Sequence, residues 1–292
     1  MIESNIMRVA VVGVSSQIGM PLLQQLALAG YAFYRVGREN KVDEGGAITY
    51  VFDESTCCFR PELECVDAVI SLAPLPTIEV VLKIARSLRA KRIIAFGSMG
   101  RFSKIDSTSE IEQDFVVQHV HAENFLSSKS EALSIGWTLF RPTMIYGADV
   151  DQNVTFIRFI VKKFGFFPLP IGANGLRQPV HVNDLATACV QALGCQNTIN
   201  RVYDLGGGEV LTYPELVKRI FKAEGKVPIL IYIPKVIFLL IVKVAQKFPK
   251  FAFIRQQMLD RMYQDLTADN QAAKADFGYA PRVFCLTRNV LK

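Results

Sequence analysis

Two of the three histidines of this chain lie close together in the segment FVVQHVHAE, residues 115–123. Imidazole side chains can bind a metal ion or exchange a proton near neutral pH. His119 and His121 are two residues apart, and on a helix this spacing turns their side chains by about 200°. The pair therefore points to different faces, and we predict no metal site here. Phe115 and His119 are four residues apart and share one face of such a helix.

A second candidate site is a turn of small residues near the N-terminus. In GVSSQIG the pattern is G-x-x-S-x-x-G, between an apolar run and a helical stretch. Such a turn lets the backbone approach a pyrophosphate, which the free N–H groups of the helix N-terminus bind. A tight strand-to-helix turn without a ligand is the alternative. The residues predicted to contact a dinucleotide here are Gly13, Ser15, Ser16, Gln17, Ile18 and Gly19.

The ends of the following strands would select the dinucleotide. Arg38 lies about twenty residues beyond the turn, where an acidic residue binds the ribose of NAD(H) and an arginine can pair with the 2′-phosphate of NADP(H). We therefore predict NADP(H), with NAD(H) possible; the alternative is an exposed loop cation. Asp53 could accept a hydrogen bond from adenine or simply cap a turn. Leu72, Ala73 and Pro74 end a strand at the edge where such sheets bind ligands.

Strands rich in Val and Ile alternate with helical patterns along the chain. This alternation predicts an α/β protein, a Rossmann-type doubly wound sheet of parallel strands covered by helices on both faces. The helical patterns include MPLLQQLALAG, TIEVVLKIARSLRA and DLATACVQAL. The strand candidates are IMRVAVVG, YAFYRVGR, AITYVFD, DAVISLAP, KRIIAFGS, WTLFRPTMIYG and RVYDLGG.

The length of 292 residues and the hydrophobic content of 50% allow a large core. We expect a dinucleotide-binding domain from residues 1–147 and 177–206, and a smaller discontinuous α/β substrate lobe from 148–176 and 207–292. The N-terminal segment has Glu3 where an export signal carries positive charge, and the six cysteines form no C-x-x-C pair. These features predict a cytoplasmic protein with reduced thiols.

The net charge of +6 resides in one segment. Residues 226–264 contain seven basic residues and one acidic residue, so the rest of the chain sums to zero. Because this segment lacks a polar, arginine-rich surface, we predict no nucleic-acid partner. Its part 228–253 is apolar, with lysines on one side of a helical wheel that begins at Lys235, and its unbroken apolar run VIFLLIV is far shorter than the roughly twenty residues that span a bilayer. It predicts either peripheral contact with an anionic membrane or a core helix of the smaller lobe.

Three further motifs complete the pattern: AFGS at 95–98, RPTMIYG at 141–147 and RQPVHVNDLA at 177–186. With them the chain resembles the extended short-chain dehydrogenase/reductase superfamily, and more narrowly the NAD-dependent epimerase/dehydratase branch that acts on nucleoside-diphosphate sugars. The resemblance implies that Pro142 and Tyr146 lie near the nicotinamide. It also implies a cleft beside GLRQPVHV, where Arg177 would pair with a substrate phosphate and His181 would lie on the substrate side. For Arg177, an ordinary surface arginine is the alternative.

The chemistry of that family needs a serine, a tyrosine and a lysine. Ser98 falls on the serine position, but the Tyr-x-x-x-Lys positions hold Phe115 and His119. The resemblance therefore leaves Ser98 and His119 as catalytic candidates, with Tyr146 as a substitute proton donor. Alternatively, Phe115 and His119 belong to a helix that has kept the fold of the family but no longer takes part in catalysis.

Two functions follow from this departure from the family pattern. The first is an NAD(P)-dependent epimerase, dehydratase or reductase that acts on a nucleotide sugar or another small molecule in cell-envelope polysaccharide synthesis. The second is a catalytically silent NADP(H)-binding scaffold or redox sensor that docks to a membrane or a protein complex. The sequence leaves the oligomeric state open.

Overall fold

The main sheet of the protein has eight strands. The computed structural model describes residues 6–39, 48–147, 151, 153–247 and 259–286. The strand order is β12-β7-β6-β5-β1-β2-β3-β4, and every neighbouring pair is parallel except β3 and β4. The bounds are β1 (Arg8–Val12), β2 (Ala32–Gly37), β3 (Thr49–Asp53), β4 (Cys58–Arg60), β5 (Ala68–Ser71), β6 (Arg92–Phe96), β7 (Gly136–Pro142) and β12 (Arg201–Leu205).

Helices cover both faces of this sheet. In β1 the side chains of Val9 and Val11 enter one core and that of Ala10 enters the other, as the alternation of a strand requires. The first core packs under α1 (Gly19–Leu28), α6 (Val182–Leu193) and α9 (Gln271–Phe277). The second packs under α2 (Ile78–Ser87) and α4 (Glu110–Ala132), which follows the short α3 (Gly100–Ser103). The predicted doubly wound α/β fold is confirmed.

A smaller lobe stands at the carboxyl end of the parallel strands. Its core is formed chiefly by α5 (Val154–Phe164) and α7 (Tyr213–Ala223), and α7 begins with a capping box between Thr212 and Glu215. Its short strand pairs are β8 (Ile145–Tyr146) with β11 (Val180–His181), β9 (Phe167–Pro170) with β14 (Leu230–Ile233), and β10 (Leu176–Arg177) with β13 (Leu211–Thr212). The predicted domain boundaries stay a prediction, and residues 148–150 lie outside the described residues.

The apolar basic segment 228–253 is a strand followed by a helix. Residues Leu230–Ile233 form β14, and α8 covers Lys235–Ala245. Pro234 separates the two because proline has no N–H to donate and is suited to a helix start. The helix predicted to start at Lys235 is thus confirmed as far as Ala245, where α8 ends. Residues 248–253 lie outside the described residues. In the ranges that the structure describes, none of the helices combines the length and the apolarity needed to cross a bilayer.

Candidate active site

The turn between β1 and α1 can be built only with glycine at its two ends. Gly13 has φ +79°, and a Cβ atom there would lie 2.9 Å from the Ala73 nitrogen. A Cβ atom on Gly19 would overlap the carbonyl group of Val14. Gly13 therefore brings the turn directly against Leu72 and Ala73, which follow β5, and Gly19 lets the start of α1 close against the carbonyl of Val14. This is the close backbone approach that a pyrophosphate site requires.

Two polar atoms of the turn are buried without a hydrogen-bond partner among the described residues. They are Ser16 Oγ and Gln17 Oε1. Buried polar atoms are seldom left unpaired in native proteins, so each calls for an explanation. The ribose hydroxyls and pyrophosphate of a dinucleotide would supply partners, and the residues present therefore fit this group. Ser15 is exposed at the same turn, whereas Ile18 is buried in the core below it.

At the predicted adenosine end, Asp53 caps a turn. Its carboxylate accepts hydrogen bonds from the Ser55 N–H at 2.9 Å and the Ser55 hydroxyl at 2.6 Å, which lower the pKa of Asp53. Asp53 thus caps the turn at Ser55, and its contact with adenine stays a prediction. Pro74 and Arg38 are exposed. Because Arg38 is exposed, the 2′-phosphate of a dinucleotide bound at the turn could reach its guanidinium.

We expect Arg38→Gln to weaken NADPH binding by about 10-fold to 100-fold and to leave NADH binding unchanged. The reason is the loss of one charge-assisted contact with the 2′-phosphate, worth about 1.5–3 kcal/mol. Calorimetric titration with each nucleotide measures both affinities. Arg86→Gln, at an exposed arginine near the end of α2, is the matched control. Equal losses for NADPH and NADH would contradict the assignment of Arg38 to the 2′-phosphate.

One cavity of about 670 Å³ opens between the carboxyl edge of the sheet and the smaller lobe. Gln17 of the turn, Ser98 after β6 and Thr143 after β7 line its sheet side. Lys104 lines it next to Ser98. The other walls come from the smaller lobe and are mostly apolar. The volume lies in the range of pockets that hold small ligands.

Ser98 and Lys104 are the reactive side chains at the sheet end of this cavity. Ser98 Oγ accepts a hydrogen bond from the Gly100 N–H at 3.0 Å. A Cβ atom on Gly100 would lie 3.0 Å from Ser98 Oγ and 3.9 Å from Lys104 Nζ, so the hydroxyl and the amine border the same small space. Burial lowers the pKa of Lys104, and the positive charge of Arg261 lowers it further. A lysine with a lowered pKa can exchange a proton.

Lys104 also occupies the space beside the predicted tyrosine position. Its Nζ lies 3.6 Å from the centroid of the Phe115 ring, and the Phe115 and His119 rings are 3.8 Å apart. The three side chains thus form one stack, with Lys104 the member that lines the cavity. Lys104 could not be predicted from the sequence, because no motif spacing points to it. Only the path of the chain through α3 brings it to Ser98.

His119 is buried in this stack, with 9% of its surface exposed. Its Nδ1 hydrogen-bonds the Phe115 carbonyl oxygen at 2.8 Å, and since that oxygen can only accept, Nδ1 carries the proton. Burial lowers the pKa of His119; the charges of Lys104 and Arg101 lower it further, and Glu123 opposes them. His119 does not line the cavity, and its predicted catalytic role stays a prediction.

We expect the protein to lose stability as the pH falls below about 6.5, the ordinary pKa of histidine. Because the folded-state pKa of His119 is lowered, the unfolded chain binds more protons there until the pH falls below that folded-state pKa. Burial lowers the pKa of His181 in the same direction. His119→Gln should therefore reduce the slope of the melting temperature against pH. Exposed His121→Gln is the control, and an unchanged slope in His119→Gln would contradict the assignment.

An ion-pair cluster fixes the segment that carries Lys104. Glu123 of α4 accepts hydrogen bonds from Arg101, in α3, and from Arg141 Nε at 3.1 Å and Nη2 at 2.5 Å. Arg141 Nη1 also lies 3.5 Å from Asp204 of β12. Glu123 is 6% exposed. The cluster therefore ties α3 to α4 and to the edge of the sheet.

The structure places Tyr146, Pro142 and His181 in packing roles. Tyr146 is fully buried, and its hydroxyl accepts a hydrogen bond from the Cys285 N–H at 3.3 Å. The Pro142 carbonyl accepts from the Met99 N–H at 3.1 Å. His181 Nδ1 accepts from the Asn183 N–H at 3.1 Å and caps α6. None of the three lines the cavity, and their predicted roles beside the nicotinamide and the substrate stay predictions.

Arg177 lines the cavity, but its guanidinium is largely engaged by main-chain oxygens. It donates to the carbonyls of Leu176 and Gln264 at 2.7 Å each, and to that of Arg261. Burial lowers its pKa. These contacts hold the residues around Arg261 against β10. The predicted contact of Arg177 with a substrate phosphate stays a prediction.

No group of His, Cys, Asp or Glu within the described ranges has the arrangement of a metal site. All six cysteines lie in those ranges and are free thiols. Cys189 is buried, which raises its pKa, and Cys57, Cys58, Cys65 and Cys285 are exposed.

Known proteins match this chain over only part of its sequence and part of theirs. No protein-family profile matches the chain. It is 28% identical over 141 residues to the chloroplast stem-loop binding protein of 41 kDa b of Arabidopsis thaliana, and 34% identical over 98 residues to the mitochondrial NADH dehydrogenase (ubiquinone) 1 alpha subcomplex subunit 9 of that plant. It is 24% identical over 180 residues to the UDP-glucose 4-epimerase of Vibrio cholerae. These matches cover 47%, 33% and 61% of the chain, but only 37%, 24% and 52% of the relatives.

Solved structures match over 78–95% of the chain. The UDP-glucose 4-epimerase of Thermotoga maritima with UDP-glucose superposes with a TM-score of 0.70 at 18% identity, over 95% of this chain and 94% of that one. The UDP-N-acetylglucosamine 4-epimerase of Bacillus cereus superposes with a TM-score of 0.66 at 15% identity, over 94% of each chain. The UDP-glucose 4-epimerase of Thermus thermophilus in complex with NAD superposes with a TM-score of 0.57 at 19% identity, over 78% of this chain and 86% of that one.

Proposed function

We propose that the protein is an NAD(P)-dependent enzyme of the epimerase/dehydratase type, acting on a diphosphate-linked sugar in cell-envelope polysaccharide synthesis. The fold is that of the nucleoside-diphosphate-sugar epimerases, and the resemblance seen in the sequence is confirmed at this level. One observation carries this proposal: a single cavity contains both Gln17 of the dinucleotide turn and Ser98. A cofactor on the turn and a sugar in the cavity would therefore meet.

The residues that would hold the cofactor are those of the turn and of the neighbouring strand ends. Gly13 and Gly19 allow the backbone to approach the pyrophosphate, and Ser16 and Gln17 offer unpaired polar atoms. Arg38 supports NADP(H), although a similar fold is known in complex with NAD. When bound, the cofactor supplies hydride transfer with a sugar carbon.

We assign the proton exchange to Lys104, assisted by Ser98. Ser98 would hydrogen-bond the sugar hydroxyl whose carbon loses the hydride. Neutral Lys104 Nζ would take the proton of that hydroxyl and return it when the carbonyl is reduced again. Burial and the charge of Arg261 support the neutral amine, whereas the Phe115 ring face favours the ammonium form. His119 acts through Phe115, as a positioning residue of the stack.

A silent NADP(H)-binding scaffold or redox sensor is the second candidate function. Phe115 favours it, because a phenyl ring has no proton to transfer. The partial match to a subunit of NADH dehydrogenase points the same way. In this case the apolar basic segment 228–253 would dock the protein to a membrane or a protein complex. We place the protein in the cytoplasm, peripheral to a membrane, in either case.

Turnover distinguishes the two functions. The protein is incubated with NAD⁺ or NADP⁺ and with UDP-glucose, UDP-N-acetylglucosamine or a prenyl-diphosphate-linked sugar, and the sugar products are separated by chromatography. The enzyme function predicts a changed sugar and at least a 10-fold slower rate in Ser98→Ala, since that variant loses a hydrogen bond to the reacting hydroxyl. Tight cofactor binding without product from any sugar diphosphate would support the scaffold.

A further inference from the structure

The cavity that begins at Ser98 has a far wall made of apolar side chains. This wall includes Phe156, Ile160, Phe164, Phe166, Ile241 and Val242. Phe164, Phe166 and Ile241 are 37–44% exposed, so the apolar wall continues onto the protein surface. The ribose and base of a nucleotide would lose hydration along such a wall without gaining hydrogen bonds. The wall suits a hydrocarbon chain.

The surface beside this opening is also apolar. Val236, Ile237, Leu240, Ile241 and Val244 of α8 are 44–78% exposed and form what we call the apolar ridge. At 100° per residue they occupy about 140° of the helix circumference. Monomeric soluble proteins rarely expose contiguous apolar surface of this kind, and it marks interaction sites.

The charges around the apolar ridge are positive. The sequence of α8 contains no acidic residue, exposed Lys243 lies at the margin of the ridge, and exposed Lys247 follows the end of the helix. On the other side of the opening, Lys163 Nζ lies 5.2 Å from the ring centroid of Phe164. An apolar stripe with lysines at its margin is complementary to a bilayer with anionic headgroups.

The cavity also contains a cation that suits a diphosphate. Arg261 lines it, with 35% of its side chain exposed and its guanidinium 3.5 Å from Glu112. Two carboxylates of the lining are engaged with main-chain amides, Asp151 with that of Asn153 and Asp265 with that of Leu176. These two carboxylates are held in place by the main chain, and Arg261 is the cation of the lining that would pair with a negatively charged linkage.

We propose that the sugar is carried by a lipid diphosphate rather than by a nucleotide. The sugar would lie at Ser98, the diphosphate at Arg261, and the hydrocarbon chain along the apolar wall. The chain would leave between Phe166 and Ile241 into an anionic bilayer on which the apolar ridge rests. This inference rests on the proposed function and names the substrate class of the same site.

Farnesyl diphosphate and isopentenyl diphosphate, which share a headgroup and differ in chain length, test the cavity by calorimetric titration. We expect farnesyl diphosphate to bind at least about tenfold more tightly, because its longer chain buries more methylene groups. Ile241→Glu should remove this difference, and Leu28→Glu, at a residue of α1 that is 81% exposed, should preserve it. Equal affinities for the two diphosphates would overturn the proposal.

Flotation with vesicles tests the apolar ridge of the full chain. We expect binding to vesicles of phosphatidylglycerol and phosphatidylcholine, and loss of binding in the double variant Val236→Glu/Leu240→Glu but not in Leu28→Glu. Wild-type protein that fails to float would overturn the proposal. So would a ridge buried between two copies of the chain, seen by light scattering as a dimer that the double variant converts to monomers.

Turnover of UDP-glucose separates this inference from the proposed function. If UDP-glucose is converted while farnesyl diphosphate and vesicles fail to bind, the enzyme function stands and the lipid substrate is rejected. If the dinucleotide fails to bind, the proposed function is rejected. The chain-length and flotation results need neither cofactor nor turnover.

Discussion

Lys104→Met lowers kcat by about 100-fold or more and leaves the affinity for the cofactor unchanged. The expected size is that of removing a general base from a positioned site. Lys104 is the amine that lines the cavity beside Ser98, and methionine preserves its length and its contact with Phe115 without a titratable nitrogen. Steady-state kinetics with the sugar diphosphate, and calorimetric titration of the cofactor, measure the two quantities.

The pH profile tells a proton acceptor from a packing residue. If neutral Lys104 accepts the proton, kcat/KM of the wild type rises with pH through the lowered pKa of Lys104, below the ordinary value of 10.5. This rise should disappear in Lys104→Met. Lys104→Arg should not restore activity, since arginine stays protonated. Exposed Lys91→Met, at the opposite end of the sheet, is the matched control. Full activity in Lys104→Met would remove Lys104 from the mechanism.

Glu123→Gln lowers the free energy of unfolding by about 3 kcal/mol. The amide keeps the shape of the side chain but leaves Arg101 and Arg141 without their shared counter-charge, and breaking a buried ion pair from one side costs about 3–5 kcal/mol. We take the lower end because both arginines are partly exposed and Arg141 keeps Asp204. Denaturant unfolding measures the change.

The control for this effect lies on the same helix. Glu131→Gln, at an exposed position of α4, should change the free energy of unfolding by less than about 0.5 kcal/mol. A loss in Glu123→Gln as small as that of the control would show that the cluster contributes little. A large loss should also reduce turnover at elevated temperature, because the cluster fixes the segment that carries Lys104.

The parallel sheet could be predicted from local signals. In β1 the run RVAVV is apolar on both faces, as a strand covered by two helix layers must be. Gly13 and Gly19 likewise indicate the turn in the sequence, because a Cβ atom at either position would clash with main-chain atoms. The strand β4 was not predicted. Its run of three residues is too short for a periodic signal.

Features that depend on distant contacts could not be predicted. Tyr146 is held by the main chain of Cys285, 139 residues away, so its burial has no local signal. The strand β14 forms because it pairs with β9, more than sixty residues earlier in the chain. Lys104 reaches Ser98 only through the turn of α3. The cofactor turn and Ser98 could therefore be predicted from the sequence, whereas Lys104 could not.

Calorimetric titration of cofactor-free protein with NADPH and with NADH tests the proposed cofactor site most directly. The central claim is that the turn from Gly13 to Gly19 binds a dinucleotide at the cavity that holds Ser98 and Lys104. We predict saturable binding of one dinucleotide per chain, tighter for NADPH. No binding of either nucleotide would contradict the claim and would leave the apolar ridge of α8 as the main indication of function.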